Sequence, residues 1–600
     1  MKVSGLFIFV LGGVFAVGLF VLGVALFRVQ VMDVGSFRRD LQTQMTRRIF
    51  VPGRRGRILD RTGKVLADDR TSHNIVCHIE NFQRSGGWSN TVNAAFAQID
   101  AAAAKLGLER TVTYSDVARH VKLSLFVPMT VWCDVSDATM AYFAEHASEF
   151  PGFGIAVDAV RTYPNGRLAA HVIGYTGTEK RPEHDAGGAR IHHYAKGLKG
   201  RSGLESYYDR FLTGVAGEAD VRVNARGFST GTARERVPET GLDLCLTLDI
   251  GIQRALERAL AGETGAGVVL DADSGAVLAM ASAPDFDPNE FVPRITSARY
   301  MELAGDASHP LLNRAISGAY APGSIFKPIT ALAGLNAEID PEETYNCTGA
   351  YRMGELALHC WNRYGHGHIS MHSAMVHSCN PYFCDLGMRV GTNGLTSAAR
   401  AFGLGSRTDI DLGGEAAGRV PDETWKRKAY GEPWFAGDLA QMSMGQGMLL
   451  VTPLQMAVAC AAFANGGKLV NPHLHAGWDA PPERTIPFRA EHIEQVRVAM
   501  RDVAVSGTGK RILMREEGEG ASRRRYRLNV SCAGKTGTAQ MGAGANRWKN
   551  AWVIAFAPYE QPKVAIALLV EHGESGGATA APRVHEVLAH IFGEHVEGGT

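Results

Sequence analysis

Six hundred residues exceed one ordinary domain, and 45% apolar with 20% charged residues is the balance of a chain that buries cores. A formal net charge of +1 lacks the basic excess of a general nucleic-acid binder, so no nucleic acid is expected as a partner. Nine cysteines are too sparse for a scaffold built on disulfides.

Gly5 to Phe27 is an uncharged apolar run. As a helix rising 1.5 Å per residue it spans roughly 34 Å, enough for a hydrocarbon core of about 30 Å. A cleaved leader needs a shorter run and a small-residue cleavage site, and only Gly23-Val24-Ala25 weakly fits. A retained anchor is therefore expected, with residues 1–4 as a tail. Charge counting is at odds with an exported body: Lys2 precedes the run, while Arg28, Arg38, Arg39, Arg47 and Arg48 follow it.

Residues 28 to about 235 read as mixed, loop-rich structure. Within them, Gly56 to Ala67 reads as two short strands around an Asp60-Arg61-Thr62-Gly63 turn. The polar stretch Glu235 to Gly241 carries Pro and Gly, which places a domain boundary near 240. Leu246 to Asp249 reads as a strand whose last residue caps a helix from Ile250. Two hairpins are expected: Gly267–Leu270 with Ala276–Ala281, and Ala551–Phe556 with Val564–Val570. Ala-, Leu- and Met-rich helical stretches lie between them. The implied class is α+β, an antiparallel sheet flanked by helices.

Ser324-Ile325-Phe326-Lys327 is a Ser-x-x-Lys motif. If Ser324 opens a helix, Lys327 lies one turn on, on the same face, within reach of the Ser324 oxygen. A serine hydroxyl needs a base, and a lysine serves once burial or a nearby cation lowers its pKa. Helix N-terminal N–H groups can face a developing oxyanion. This tetrapeptide alone is weak, with roughly two chance matches expected in this length. Ser378-Cys379-Asn380 adds a hydroxyl to relay a proton and an amide to hold substrate, side by side on an extended loop; Ser72-His73-Asn74 is a decoy. Lys535-Thr536-Gly537-Thr538 supplies a strand edge for the substrate backbone and a cation near Lys327. Thr536 and Thr538 would bind a carboxylate, and Gly537 would let substrate approach. The three motifs in this order carry serine acyl-transfer chemistry of the penicillin-binding type.

The chain resembles class B penicillin-binding proteins, monofunctional D,D-transpeptidases, over nearly its whole length. Arg161-Thr162-Tyr163-Pro164, Ala170 to Tyr175 and Gly203-Leu204-Glu205 resemble the N-terminal pedestal of that family. Leu246 to Asp249, Phe286 to Asn289 and Val451 to Gln455 resemble its catalytic domain. Gly365-His366-Gly367 and Met444-Gly445-Gln446-Gly447 pull toward the elongation branch, penicillin-binding protein 2, although sporulation-type relatives share some of these features. The resemblance implies a single N-terminal membrane helix (5–27), a mixed α/β pedestal of dimerisation type (28–239) and a transpeptidase domain (240–594). It also implies a body outside the bacterial cytoplasmic membrane, which overrides the charge count. Ser324 would attack the penultimate D-Ala of a stem peptide, with the N–H groups of Ser324 and Thr538 as oxyanion hole and no catalytic cofactor. An amine of a neighbouring stem would then take the acyl group, and β-lactams would acylate Ser324 stably. The implied partners are stem peptides ending in D-Ala-D-Ala, a membrane glycan polymerase of the shape-elongation-division-sporulation type, and other elongation-complex proteins.

Cys347, Cys360, His366 and Cys379 form C-x12-C-x5-H-x12-C, three thiolates and an imidazole, which is a full tetrahedral zinc set. If Ser378 and Asn380 face the cleft, Cys379 faces away from it, so the metal would be structural, holding that loop. Some elongation-type relatives carry a metal at matching positions. A disulfide, with Cys384 as a fifth candidate, and plain buried thiols are the other readings.

His184, His192 and His193 are read as solvated loop residues, as is the run Arg523-Arg524-Arg525 with Arg527. Cys532 is read as a strand-packing residue. Competing functions are a division- or sporulation-type transpeptidase, a D,D-carboxypeptidase, a β-lactamase, and a catalytically silent β-lactam sensor or scaffold. The anchor and pedestal disfavour a β-lactamase. The intact motifs disfavour a scaffold, and a four-residue tail disfavours a sensor.

Overall fold

The structure is a computed structural model. It describes residues 5–33, 46–51, 53–82, 87–124, 127–178, 192–193, 197–223, 229–479, 481–482, 484–518, 524–542 and 547–596. Gly5–Phe27 is one helix, exposed along its length and apolar all round, and one turn of wider helix, Arg28–Met32, continues it. A helix with no polar face has no partner in water, which fits a lipid setting.

The first half is better ordered than its composition suggests. Ile58–Leu59 and Val65–Cys77 form the expected hairpin, with Ile58 opposite Ala67, and the Asp60 carboxylate accepts from the Thr62 and Lys64 amides to close the turn. The long strand also pairs with Met129–Trp132 and Phe153–Thr162, and the 19-residue helix Trp88–Leu106 packs nearby. The stretch reads as loop because many of its buried groups are charged. Arg161 and Arg55 meet at Glu205, at 2.7 and 2.5 Å, and Arg161 also meets Asp69 at 3.1 Å. Buried charges persist only when paired in this way. Leu244–Cys245 adds a parallel strand beside Ile58–Leu59. The strand expected at Leu246 to Asp249 thus sits two residues earlier, and Asp249 still caps the helix from Ile250 through the Gly251 and Ile252 amides.

The second half is built on a five-stranded antiparallel sheet, in the order Val277–Ala283, Gly265–Asp271, Val564–Val570, Trp548–Ala557, Ala533–Met541. Both expected hairpins are in it. The central strand Val564–Val570 is buried at every residue because helices cover both sheet faces, so it reads as a continuous apolar run. One face packs on Ile250–Ala259 and Ala581–Phe592, and the other on Lys327–Asn336, Pro453–Ala464 and Ala490–Val505. Pro453–Ala464 is buried on all sides and has a capping box from Thr452 and Gln455. This is the α+β layering expected.

Two local expectations change. Arg524–Leu528 is a strand, paired with Met514–Glu517 and Glu594–Val596, not a loop; alternating arginines on a surface strand mimic solvated coil in sequence. His192–His193 is a short strand parallel to Ile49–Phe50, while His184 and Arg523 lie outside the described residues. Cys532 is buried in the core beneath the sheet, as expected of a packing residue. The two halves meet through named contacts: Tyr208 donates to Asp411 at 2.7 Å, and the Ala169 amide donates to Glu257 at 2.7 Å.

Candidate active site

Ser324 lies in a tight turn, Gly323–Phe326, that runs straight into the helix Lys327–Asn336. Three contacts pin the turn. Gly323 has φ +58° and its N–H donates to the Gly445 carbonyl at 2.7 Å. A Cβ at Gly323 would stand 3.0 Å from the Thr538 backbone. The Trp552 indole donates to the Ala321 carbonyl at 3.0 Å.

Lys327 is fully buried. Its ammonium donates to the Ser378 carbonyl at 2.8 Å, the Ser378 hydroxyl at 3.3 Å and Asn380 Oδ1 at 2.7 Å, and lies 5.2 Å from the Phe383 ring centre. Among the described residues it is therefore held by the Ser-x-Asn loop and not by Ser324 Oγ, the partner anticipated from spacing. Burial lowers its pKa to about 8. Lys535 is also fully buried and donates to Ser378 Oγ at 2.9 Å and the Thr536 carbonyl at 3.0 Å. Its pKa is driven well below the ordinary lysine value, first by burial and then by repulsion from Lys327. Two buried cations do not coexist cheaply around one hydroxyl, so one of the two amines gives up its proton first.

The Ser-x-Asn segment is not extended. Ser378 has φ +54°, Cys379 is the extended cap, and Asn380 is the first residue of the helix Asn380–Ala401. A non-glycine residue held left-handed costs about 1–2 kcal/mol, and such strain gathers at functional sites. The kink turns Ser378 Oγ and Asn380 Oδ1 toward the lysines and Cys379 into the interior, where it is wholly buried. Asn380 Nδ2 also donates to the His359 carbonyl at 3.0 Å.

On the Lys535 strand, Thr536 and Thr538 stand where expected, but Gly537 has another reason. A Cβ there would stand 3.0 Å from the Pro322 carbonyl and from Ile325 Cγ2, so glycine lets the strand lie on the Ser324 turn. Thr538 Oγ1 accepts from the Gly576 amide at 3.3 Å. Sequence reasoning missed two residues here. Thr508 Oγ1 lies 2.7 Å from Thr536 Oγ1, and Gln446 Nε2 donates to the Thr538 carbonyl at 3.3 Å. Thr508 sits in a connecting turn with no motif around it; the Met444 to Gly447 segment was noticed, without a role.

Behind Ser378 the four predicted ligands converge. The Sγ atoms of Cys347, Cys360 and Cys379 and a ring nitrogen of His366 lie within 4.8 Å of one another. His366 Nδ1 is 3.5 Å from Cys360 Sγ and 3.8 Å from Cys347 Sγ. The edge of a tetrahedron with Zn–S of about 2.3 Å and Zn–N of about 2.0 Å is about 3.6 Å, close to the two His366–sulfur distances. A hydrogen bond between the thiols lowers the pKa of Cys360 and raises that of Cys379. Glycines let the two limbs cross: a Cβ at Gly365 would stand 2.0 Å from the Cys347 carbonyl, and one at Gly349 2.3 Å from the Arg363 carbonyl. Cys384 points elsewhere, to the Ala440 carbonyl at 3.6 Å, and all nine cysteines are free thiols.

Comparison with known proteins matches residues 265–589 to the penicillin binding protein transpeptidase domain and residues 50–246 to the penicillin-binding protein dimerisation domain. The peptidoglycan D,D-transpeptidase MrdA of Acinetobacter baumannii is 32% identical, over 94% of this chain and 85% of that protein. A penicillin-binding protein (PBP2) of Helicobacter pylori, solved in complex with MreC, superposes with TM-score 0.76 at 27% identity, over 91% of this chain and 99% of that one. A chain from a peptidoglycan synthase complex, described as coordinating polymerization and crosslinking, gives TM-score 0.69 at 28% identity over 98% of both.

Proposed function

The chain belongs to the penicillin-binding protein transpeptidase family, and we propose that it is a peptidoglycan D,D-transpeptidase working through an acyl-enzyme on Ser324. The observation that carries the assignment of roles is the bridging of Lys327 and Lys535 by Ser378 Oγ. With Lys327 neutral, Ser324 Oγ attacks the carbonyl of the penultimate D-Ala while its proton passes to the Lys327 amine. The N–H groups of Ser324 and Thr538 hold the oxyanion. As the C–N bond breaks, the Ser378 hydroxyl gives the leaving D-Ala amine its proton and takes in return the one held on Lys327. An amine of a neighbouring stem then attacks the ester, the proton path runs in reverse, and Ser324 is restored. Asn380 orients substrate together with Lys327. Thr536 and Thr538 seat the terminal carboxylate. Water in place of the amine gives residual carboxypeptidase release. β-Lactams enter as D-Ala-D-Ala analogues and remain on Ser324.

The division of labour follows the same reading. Residues 5–27 anchor the chain in the cytoplasmic membrane, 28–239 form a pedestal outside it, and 240–594 carry the chemistry. Likeness to MrdA and to the MreC-bound PBP2 favours a role in cell-wall elongation, with a membrane glycan polymerase as partner. The alternative is a sporulation-type role, since stage V sporulation protein D of Bacillus subtilis is 28% identical over 89% of this chain. Depletion in cells separates these roles and a division role: loss of rod shape marks elongation, a defect confined to spore formation marks sporulation, and filaments mark division.

Cys347, Cys360, His366 and Cys379 fit a structural zinc, which supplies a rigid four-way crosslink when bound. The chain's own residues do the rest: Cys379 lies between Ser378 and Asn380, so fixing its sulfur fixes the loop that holds Lys327.

The direct test incubates the full chain and a glycan polymerase with lipid-linked disaccharide-pentapeptide. Cross-linked muropeptides are expected with the wild type and absent with Ser324→Ala or added penicillin. Equal cross-linking by that variant sinks the reading.

A further inference from the structure

A pocket of about 300 Å³ opens beside the catalytic cleft, between the helices Glu423–Tyr430 and Ala436–Ser443. Tyr430 and Trp434 supply aromatic faces, and Lys426, Glu432, Asp438 and Gln441 supply polar groups. Its far wall is Gly447-Met448. That wall is tied to the nucleophile's turn by short links. Gly445 accepts from the Gly323 amide at 2.7 Å, and Gln446 reaches the Thr538 carbonyl at 3.3 Å. Summed bond lengths put Gly447 no more than roughly 18 Å from Ser324, and the straight separation is shorter. A four-residue stem peptide extends roughly 14 Å.

We propose that this pocket binds an N-acetylated amino sugar of the glycan strand, placing the strand while its stem peptide lies in the cleft. The inference rests on the transpeptidase reading above. Three observations carry it. The first is reach: the Gly447 wall lies within roughly 18 Å of Ser324, a span of the order of one extended stem peptide. The second is the lining. Aromatic rings offer flat apolar faces for the C–H side of a pyranose, and carboxylates and an amide take its hydroxyls. Tyr430 is 59% exposed, so its face is open. The third is the polar inventory. Lys426 is tied to Asp438 at 2.6 Å and lies 4.3 Å from the Phe435 ring centre, so the ammonium is neutralised and the pocket is not an anion site. The alternative occupant, more stem peptide, needs a strand edge to pair with, and the pocket walls are two helices and a turn.

The test uses the full chain in detergent and peptide-free oligosaccharides of alternating N-acetylglucosamine and N-acetylmuramic acid. Calorimetry should show saturable binding to the wild type. Tyr430→Ser and Trp434→Ser should each weaken it about tenfold, while labelled penicillin acylates both variants within about twofold of the wild-type rate. Hydroxyl-radical footprinting of the wild type reads the same contact without a variant: Tyr430 should be protected by the oligosaccharide. No binding to the wild type, unchanged binding by both variants, or an unprotected Tyr430 overturns the proposal. A wild-type chain that takes no penicillin label would instead overturn the transpeptidase reading itself.

Discussion

Lys535 Nζ donates to Ser378 Oγ across 2.9 Å, joining the strand at one edge of the central sheet to the loop that holds Lys327. The same hydroxyl lies 3.3 Å from Lys327 Nζ. One serine is thus shared by two buried amines, and the predictions about chemistry follow from that sharing.

The first concerns pH. Lys327 acts as a base only when neutral, and burial sets its pKa to about 8 against an ordinary 10.5. The second-order rate of penicillin acylation should therefore rise with pH, reach half its plateau near pH 8 and flatten above about pH 9. A rise centred near 10.5 would mean an unshifted amine.

Removing Lys535 should lower the rate and leave the pH profile in place. Lys535→Ala takes the donor from Ser378 Oγ, and acylation should fall by roughly 10²–10³. Lys535 is the amine that gives up its proton first, so it is uncharged when Lys327 titrates, and the half-plateau of the residual activity should stay near pH 8. A half-plateau that moves up would show that Lys535 is charged beside Lys327.

Gly537→Ala tests the packing of strand on turn. The new Cβ would press the Pro322 carbonyl and Ile325 Cγ2 at 3.0 Å. A cost of about 1–3 kcal/mol in unfolding free energy is expected, with acylation lowered at least tenfold because the Ser324 turn shifts. If substrate approach were the only reason for glycine, stability would be unchanged.

Thr508→Val keeps shape and removes the hydroxyl facing Thr536 at 2.7 Å. Acylation by carboxylate-bearing β-lactams should drop about three- to tenfold, and Thr508→Ser should restore it. A carboxyl-ester analogue should show little difference among the three proteins. Equal losses for acid and ester would place Thr508 in packing alone.

Metal content tests the support behind Ser378. Purified wild type should hold one zinc per chain, and Cys360→Ser should lose it and melt at a lower temperature. Wild type free of zinc after mild handling would leave the cluster as buried thiols.

Much of the architecture was legible because its signals are local. Alternating and continuous apolar runs marked the sheet, Asp249 announced its helix, and the motif spacing pointed to Lys327, Ser378, Asn380 and Lys535, whose side chains the fold joins by hydrogen bonds. What stayed hidden depends on contacts far apart in the chain. The left-handed Ser378 is set by the end of the helix before it and the buried sulfur after it. Gly537 answers to a turn more than two hundred residues earlier, and Thr508 meets its partner 28 residues on. The pedestal looked loose because its core is partly ionic, a pattern that hydropathy cannot separate from solvated loop.

The most direct test of the central claim is peptide mapping by mass spectrometry after exposure of the full chain to a β-lactam. One covalent adduct is expected, on Ser324, at one per chain, with none on Ser324→Ala. An adduct on any other residue, or an equal yield on that variant, would contradict the account.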